Sequence, residues 1–249
     1  MRARIHHHTC ILMTVFFPQV SEFSALLPPR LAPNQIHLMV ASLESLTQHR
    51  EQVFSVIDQT EQTRAERFIN PTHGDNFRLV RGTLRILLAA YLKQNAKDIH
   101  FDFNEHGKPL INPSQNPQAL QFNVSHSHDM AAFVFTMQKP VGIDIEHIKP
   151  LNNISGLAQH VCHPKELDEF NAMEAHARQD AFFRLWTRKE AFIKAKGQGL
   201  SMGLRSIYIG FDMASAIQCV EYRGKLLADW RVKSLQCDPN YKLAAAVEV

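Results

Sequence analysis

The chain has 249 residues, 45% hydrophobic and 20% charged, with a formal net charge of +3; that balance excludes disorder as its main state and allows one large or two small cores. The mildly basic charge suits an anionic ligand. Because Lys and Arg form no dense run and no zinc-finger or RNP-type signature occurs, nucleic acid is not the expected partner. Cys10, Cys162, Cys219 and Cys237 make no CxxC pair and no apolar window is long enough to span a bilayer, so a reducing, cytoplasmic setting away from membranes is expected.

Residues 1–30 read as a loose extension, because Pro28, Pro29 and Pro33 delay regular structure until Ile36. Ile36 to Ala41 and Ile99 to Phe103 have the composition of short strands. Between them one helix is predicted from about Asp58 to Ile69, with Asp58 and Glu61 spaced as a capping box and Asn70-Pro71 as its stop. A second runs from about Asp75 to Gln94 with Phe77, Val80, Leu84, Leu88 and Tyr91 on its apolar stripe. The Pro- and Asn-rich stretch Asn112 to Pro117 predicts a boundary between halves, 31–117 and 118–249.

Strands follow at Leu120 to Val124, Ala131 to Met137 and Val141 to Glu146, then helices at about Pro164 to Met173 and Arg178 to Lys196, the latter stopped by Gly197 and Gly199. Four short strands, at about Ser206 to Phe211, Ile217 to Tyr222, Asp229 to Ser234 and Tyr241 to Val247, complete the pattern. Phe77-Arg78-Leu79-Val80 is echoed by Phe183-Arg184-Leu185-Trp186, and each half reads strand, short helix, long helix, strand. The expected fold class is therefore α+β, built as a duplicated unit with a ligand cleft between the halves.

The chemistry concentrates in two segments. In Val141-Gly142-Ile143-Asp144-Ile145-Glu146, alternation puts Gly142, Asp144 and Glu146 on one face of a strand. The two carboxylate residues then lie about 6.5–7 Å apart along the backbone and can converge on one cation, with Gly142 expected to leave room for a ligand. In Trp186-Thr187-Arg188-Lys189-Glu190-Ala191-Phe192-Ile193-Lys194, Glu190 and Lys194 share a helix face beside the apolar Trp186 and Ile193. A carboxylate there is expected to be partly buried and to need a cation or a donor. Three hard oxygen donors, Asp144, Glu146 and Glu190, suit magnesium and a phosphorylated substrate.

The run Gly142 to Glu146 followed by Trp186, 42 residues beyond Asp144, and the rest of W-T-R-K-E-A-F-I-K resembles the signature of 4'-phosphopantetheinyl transferases. Length and apparent duplication resemble the monomeric type named for the surfactin-synthesis enzyme. The resemblance implies transfer of the phosphopantetheine arm of coenzyme A to a serine of an apo acyl or peptidyl carrier protein, with Mg2+ (or Mn2+) on Asp144, Glu146 and Glu190. The attacking serine needs a proton acceptor within reach, and Glu190, directly or through a metal-bound water, is the candidate, with Lys194 either compensating pyrophosphate charge or orienting Glu190. Ser125 and His126, in Phe122-Asn123-Val124-Ser125-His126-Ser127, match the pair that contacts the 3'-phosphate of coenzyme A, and Lys108 in Gly107-Lys108-Pro109 matches a lysine near the nucleotide. Arg64 or Arg67, with Arg78, are the upstream phosphate candidates, because guanidinium forks suit phosphate geometry; Arg81 and Arg85 complete a basic helix face that reads as solvated. Two other readings use the same carboxylates: a different magnesium-dependent phosphotransferase, disfavoured by the absence of a GxxxxGK[ST] loop, and a binding module without turnover.

Overall fold

The structure, a computed structural model, describes residues 12–16, 30–212 and 218–249. In the first unit β1 (Leu12–Phe16) and β2 (Gln35–Ser42) are followed by the short helices α1 (Leu43–Thr47), α2 (Arg50–Ser55) and α3 (Gln59–Glu66). The long helix α4 (Pro71–Leu92), a small hairpin of β3 (Phe101–Phe103) and β4 (Pro109–Ile111), and strands β5 (Leu120–Ser127) and β6 (Met130–Met137) follow. The second unit repeats the plan with β7 (Val141–His147), α5 (Ile154–Val161), α6 (Pro164–Ala172) and the long helix α7 (Ala175–Lys196). Strands β8 (Ile207–Tyr208), β9 (Gln218–Tyr222), β10 (Lys225–Leu235) and β11 (Tyr241–Glu248) complete it.

One sheet has the order β1-β2-β6-β5 and the other β7-β11-β10-β9-β8. All pairings in them are antiparallel except β1 with β2. The order β2-β6-β5 is thus mirrored by β7-β11-β10, and α4 and α7 are each 22 residues long. Strand alternation sorts the side chains. Ile36, Leu38, Val40, Ala132 and Val134 meet Val141, Ile143, Ile145, Leu243, Ala245 and Val247 in a core between the sheets. Met39, Ala41, Phe133 and Phe135 point the other way, onto Leu84, Leu87 and Leu88 of α4. Strands buried on both faces read as continuous apolar runs, as β2 and β6 do.

Several boundaries differ from the sequence reading. Strands β5 and β6 pair into the sheet of β2, so the chain changes sheet at 138–140 rather than at 112–117. The asparagines of that earlier stretch do local work: Asn112 Oδ1 accepts from Ser114 N, and Asn116 holds Leu120 through both ends of its amide. Within the expected loose extension, residues 12–16 form a strand on β2. Asn70-Pro71 opens α4 instead of only stopping α3, with Asn70 Oδ1 accepting from Thr72 N and Pro71 in the first turn, where its missing N–H costs nothing. The strand expected from Ser206 to Phe211 shrinks to β8, and the short helices α1, α2 and α5 carry no signal in the sequence reading.

Each long helix carries a buried cation that is paired with a capping-box glutamate. Arg85, fully buried in α4, donates from Nε to Glu61 Oε2 at 2.6 Å, pairs with Asp58, and donates to the carbonyls of Ala96 and Ile99 at 3.0 Å each. Lys189, fully buried in α7, meets Glu166 Oε2 at 2.6 Å and the carbonyls of Val161, Leu204 and Ile207 at 2.8, 3.0 and 2.8 Å. Glu61 and Glu166 are each the third helical residue of a capping box, at the starts of α3 and α6. The two units therefore use one device: a capping-box glutamate anchors a cation of the long helix, and that cation collects carbonyls of the flanking segments.

Helix α7 crosses β7 at Gly142. A Cβ there would lie 2.1 Å from the carbonyl oxygen of Ala191 and 2.4 Å from Ala195 N. The space the glycine opens is filled by helix backbone, which corrects the expectation that a ligand approaches there. Two stability effects follow, both measurable by urea unfolding. Gly142→Ala should cost about 1–3 kcal/mol or more, because backbone rather than a flexible side chain must move; an unchanged midpoint would contradict the close crossing. Lys189→Met should cost about 3–5 kcal/mol, because it strands the Glu166 carboxylate in the interior.

Candidate active site

The site lies where β5, β7 and α7 meet. Strands β5 and β7 run side by side without a backbone ladder between them. Instead the side chains of Asn123, Ser125 and Ser127 accept hydrogen bonds from the backbone N–H groups of Ile143, Ile145 and His147, at 3.0, 3.4 and 3.1 Å. The same serines donate onward: Ser125 Oγ to Asp144 Oδ1 at 3.0 Å and Ser127 Oγ to Glu146 Oε2 at 2.8 Å. The seam thus fixes both strand carboxylates. Asn123 and Ser127 were not singled out from sequence, although polar residues at alternate positions of an otherwise apolar strand are a readable signal.

The alternation of β7 holds. Ile143 and Ile145 enter the inter-sheet core, while Asp144 faces α7 and is only 2% exposed. Lys194 Nζ donates to Asp144 Oδ1 at 2.6 Å and to Ser125 Oγ at 2.9 Å. Asp144 Oδ2 and Glu190 Oε1 are both buried with no hydrogen-bond partner among the described residues. Burial pushes the Asp144 carboxyl up to about 6 even though Lys194 opposes the shift. Burial, then the Asp144 charge, pushes Glu190 up to about 7, again against Lys194 and with a smaller push from Glu146. Three carboxyl groups therefore share one electrostatic neighbourhood with the Lys194 ammonium.

Among the described residues, no three His, Cys, Asp or Glu side chains already stand grouped as a metal cage. The donor set nevertheless fits a hard divalent cation: two buried carboxylate oxygens lack a partner, which is costly unless a cation or a donor arrives. The nine-residue motif on α7 divides in two. Arg188 and Lys189 are internal braces, Arg188 donating to Ser234 Oγ and to the carbonyls of Gly210 and Asp212; Glu190 and Lys194 face the cleft. Trp186 stacks on Phe182 and Ile193 is buried, so Glu190 is partly buried as its neighbours suggested.

A cleft of about 200 Å³ is lined by Gly107, Lys108, Asn123, Glu190, Lys194 and Gly197. Lys108 Nζ donates to the carbonyls of Ala195 at 3.1 Å and Val141 at 3.3 Å, and burial lowers its pKa to about 8. His126 is solvent-accessible, yet neighbouring protein strips part of its hydration; that desolvation and then Lys194 lower its pKa, with Glu146 opposing and His73 adding a smaller lowering. Ser125, by contrast, is buried and occupied with Asp144 and Lys194.

The upstream arginines separate. Arg64 is exposed on α3 and Arg67 at the C-cap of that helix, with Arg64 over the ring of Phe77. Arg78 is partly buried and bound to Asp75 and Gln62. The solvated basic face expected of α4 does not exist, since Arg85 is the buried pin and Arg81 is buried between the rings of Phe77 and Phe101 beside Glu61.

Comparison with known proteins places this geometry. Residues 140–246 match the family described as the 4'-phosphopantetheinyl transferase superfamily, and residues 44–138 match that described as 4'-phosphopantetheinyl transferase, N-terminal. The two matches meet where the chain passes from one sheet to the other. The chain is 31% identical over 176 residues to the 4'-phosphopantetheinyl transferase HetI of Nostoc sp., covering 70% of this chain and 74% of that protein. It is 29% identical over 199 residues to the 4'-phosphopantetheinyl transferase Sfp of Bacillus subtilis, covering 79% and 84%. To the 4'-phosphopantetheinyl transferase AcpT of Escherichia coli it is 39% identical over 95 residues, 38% of this chain and 47% of that one. With both units matched and a relative above 30% identity aligned over most of its length, the chain belongs to the 4'-phosphopantetheinyl transferase superfamily, whose enzymes move 4'-phosphopantetheine from coenzyme A to carrier proteins.

Proposed function

We propose that Asp144, Glu146 and Glu190 hold a magnesium ion, which manganese can replace, while coenzyme A lies in the cleft and a serine of an apo acyl or peptidyl carrier protein approaches. The observation that carries this reading is the pair of buried oxygens on Asp144 and Glu190, without a partner among the described residues and from two distant parts of the chain, beside the Lys194 ammonium. When bound, the ion supplies positive charge to pyrophosphate oxygens and offsets the charge that gathers on the departing phosphate.

The chain's own residues supply the rest. Glu190 accepts the proton of the attacking serine hydroxyl, directly or through a water. The serine oxygen bonds to the phosphorus next to pantetheine, the bond from that phosphorus to the bridging pyrophosphate oxygen breaks, and adenosine 3',5'-bisphosphate leaves. Lys194 keeps Asp144 ionised until substrate binds and stays close enough to neutralise pyrophosphate charge. His126, accessible beside Lys194, is the better 3'-phosphate contact, and Ser125 serves as organiser of Asp144 and Lys194. Of the arginines, Arg64 and Arg67 are open to a phosphate, whereas Arg78 must first release Asp75. We assign Lys108 to the nucleotide end of the cleft and take the working form to be a monomer of two units, the first ending at 138 and the second running from 140 to 249. No helix among the described residues is long and apolar enough to cross a membrane.

Incubation with apo carrier protein, coenzyme A and magnesium should add one phosphopantetheine group to the carrier by mass spectrometry, and chelator should abolish the gain; an unmodified carrier would refute the reading. Glu190→Gln should lower the transfer rate about a hundredfold or more, the range lost with a general base. The same change should stabilise the metal-free protein at pH 8. Glu190 binds its proton more tightly folded than unfolded, so its contribution to stability falls as pH rises from about 4.5 through about 7. In chelator the variant should therefore unfold at higher urea than wild type at pH 8 and at nearly equal urea near pH 4.5; equal midpoints at both would show that the carboxylate is not desolvated.

A further inference from the structure

Asn104 opens the turn between β3 and β4 and uses both ends of its side-chain amide. Oδ1 accepts from the backbone N–H of His106 at 3.0 Å and of Lys108 at 2.9 Å, which shapes the turn. Nδ2 donates at 2.7 Å to the carbonyl of Gly197, which lies 93 residues away in the other unit. Gly197 is the left-handed cap of α7, with φ of 68°. The last carbonyls of a helix have no partner within it and take donors from elsewhere. Lys108 supplies a second donor two residues earlier, at Ala195, and makes no ion pair with a carboxylate among the described residues. A hairpin of the first unit therefore holds the end of the helix that carries Glu190 and Lys194, and the turn that does so also lines the cleft.

The amide is suited to this task in a way its relatives are not. Aspartate would shape the turn equally well but would turn a carboxylate oxygen toward the Gly197 carbonyl. Serine could accept from the turn but is too short to reach the helix. The fit from the helix side is equally close, since a Cβ on Gly197 would stand 2.9 Å from Asn104 Nδ2.

Resting on the site reading given above, we propose that Asn104 is a positioning residue for the transfer reaction: it fixes the C-terminal end of α7 and so sets the aim of Glu190 and Lys194 across the cleft. Asn104→Asp and Asn104→Ser keep the acceptor that shapes the turn and remove the donor to α7. In the full chain, assayed with apo carrier protein, coenzyme A and magnesium, both should lower kcat about 10- to 100-fold, the cost of a small misplacement of catalytic groups. KM for coenzyme A should change no more than about twofold, because the turn keeps its shape, and the melting temperature should fall by only about 2–4 °C. The proposal fails if either folded variant keeps wild-type kcat, if the defect resides in KM alone, or if the variants do not fold, since Asn104 would then be a folding determinant only. A wild-type chain that transfers nothing sinks the site reading and this inference together, whereas an active wild type beside fully active variants sinks the inference alone.

Discussion

Helix α7 lies against strand β7 with nothing but backbone between them at Gly142, and the candidate site depends on that closeness. A side chain at this position would lift the helix away and separate Lys194 from Asp144, which now meet at 2.6 Å. Strand periodicity places Asp144 two residues beyond the crossing, and helix periodicity places Glu190 and Lys194 on the facing side. Proximity here is a product of backbone geometry first and of charge second. The charge alone would not assemble the site, since burial destabilises both Asp144 and Glu190 in their ionised forms.

That electrostatic debt is tolerable because the frame around it is rigid. In each unit a capping-box glutamate and a buried cation fasten the short helix to the long one, through Glu61 and Arg85 in the first and Glu166 and Lys189 in the second. A buried pair adds little net stability over an apolar substitute, but it tolerates few alternative arrangements once its carbonyl partners are in place. The motif on α7 thus serves two masters within seven residues, with Arg188 and Lys189 fixing the helix and Glu190 and Lys194 exposed to the cleft.

Much of this was legible in the residues. The alternation of Val141 to Glu146 correctly separated the core residues Ile143 and Ile145 from Asp144, which meets Lys194 of α7, the capping box at Asp58 and Glu61 is present, and the repeated order of elements corresponds to two units. What escaped reading depends on contacts distant in sequence. Asn70-Pro71 serves as a start because α4 begins at once, and local signals for stopping one helix and starting another are the same residues. The prolines and asparagines at 112–117 build a turn within a unit, and nothing local distinguishes such a turn from a linker. Arg81 and Arg85 sit at helical spacing that suits a solvated face, yet Glu61 and the ring of Phe101 enclose them from elements not adjacent in the chain. Gly142 reads equally as an opening for ligand or for backbone, and only the path of α7 decides.

The seam between β5 and β7 also bears on solubility. An edge strand usually offers a row of free N–H groups on which a strand from another molecule can grow, a common route to aggregation. Along β7 those groups at Ile143, Ile145 and His147 are already taken by Asn123, Ser125 and Ser127. The opposite margin of the same sheet is β8, only two residues long and a poor template. Residues that orient the carboxylates thereby also deny this sheet to foreign strands.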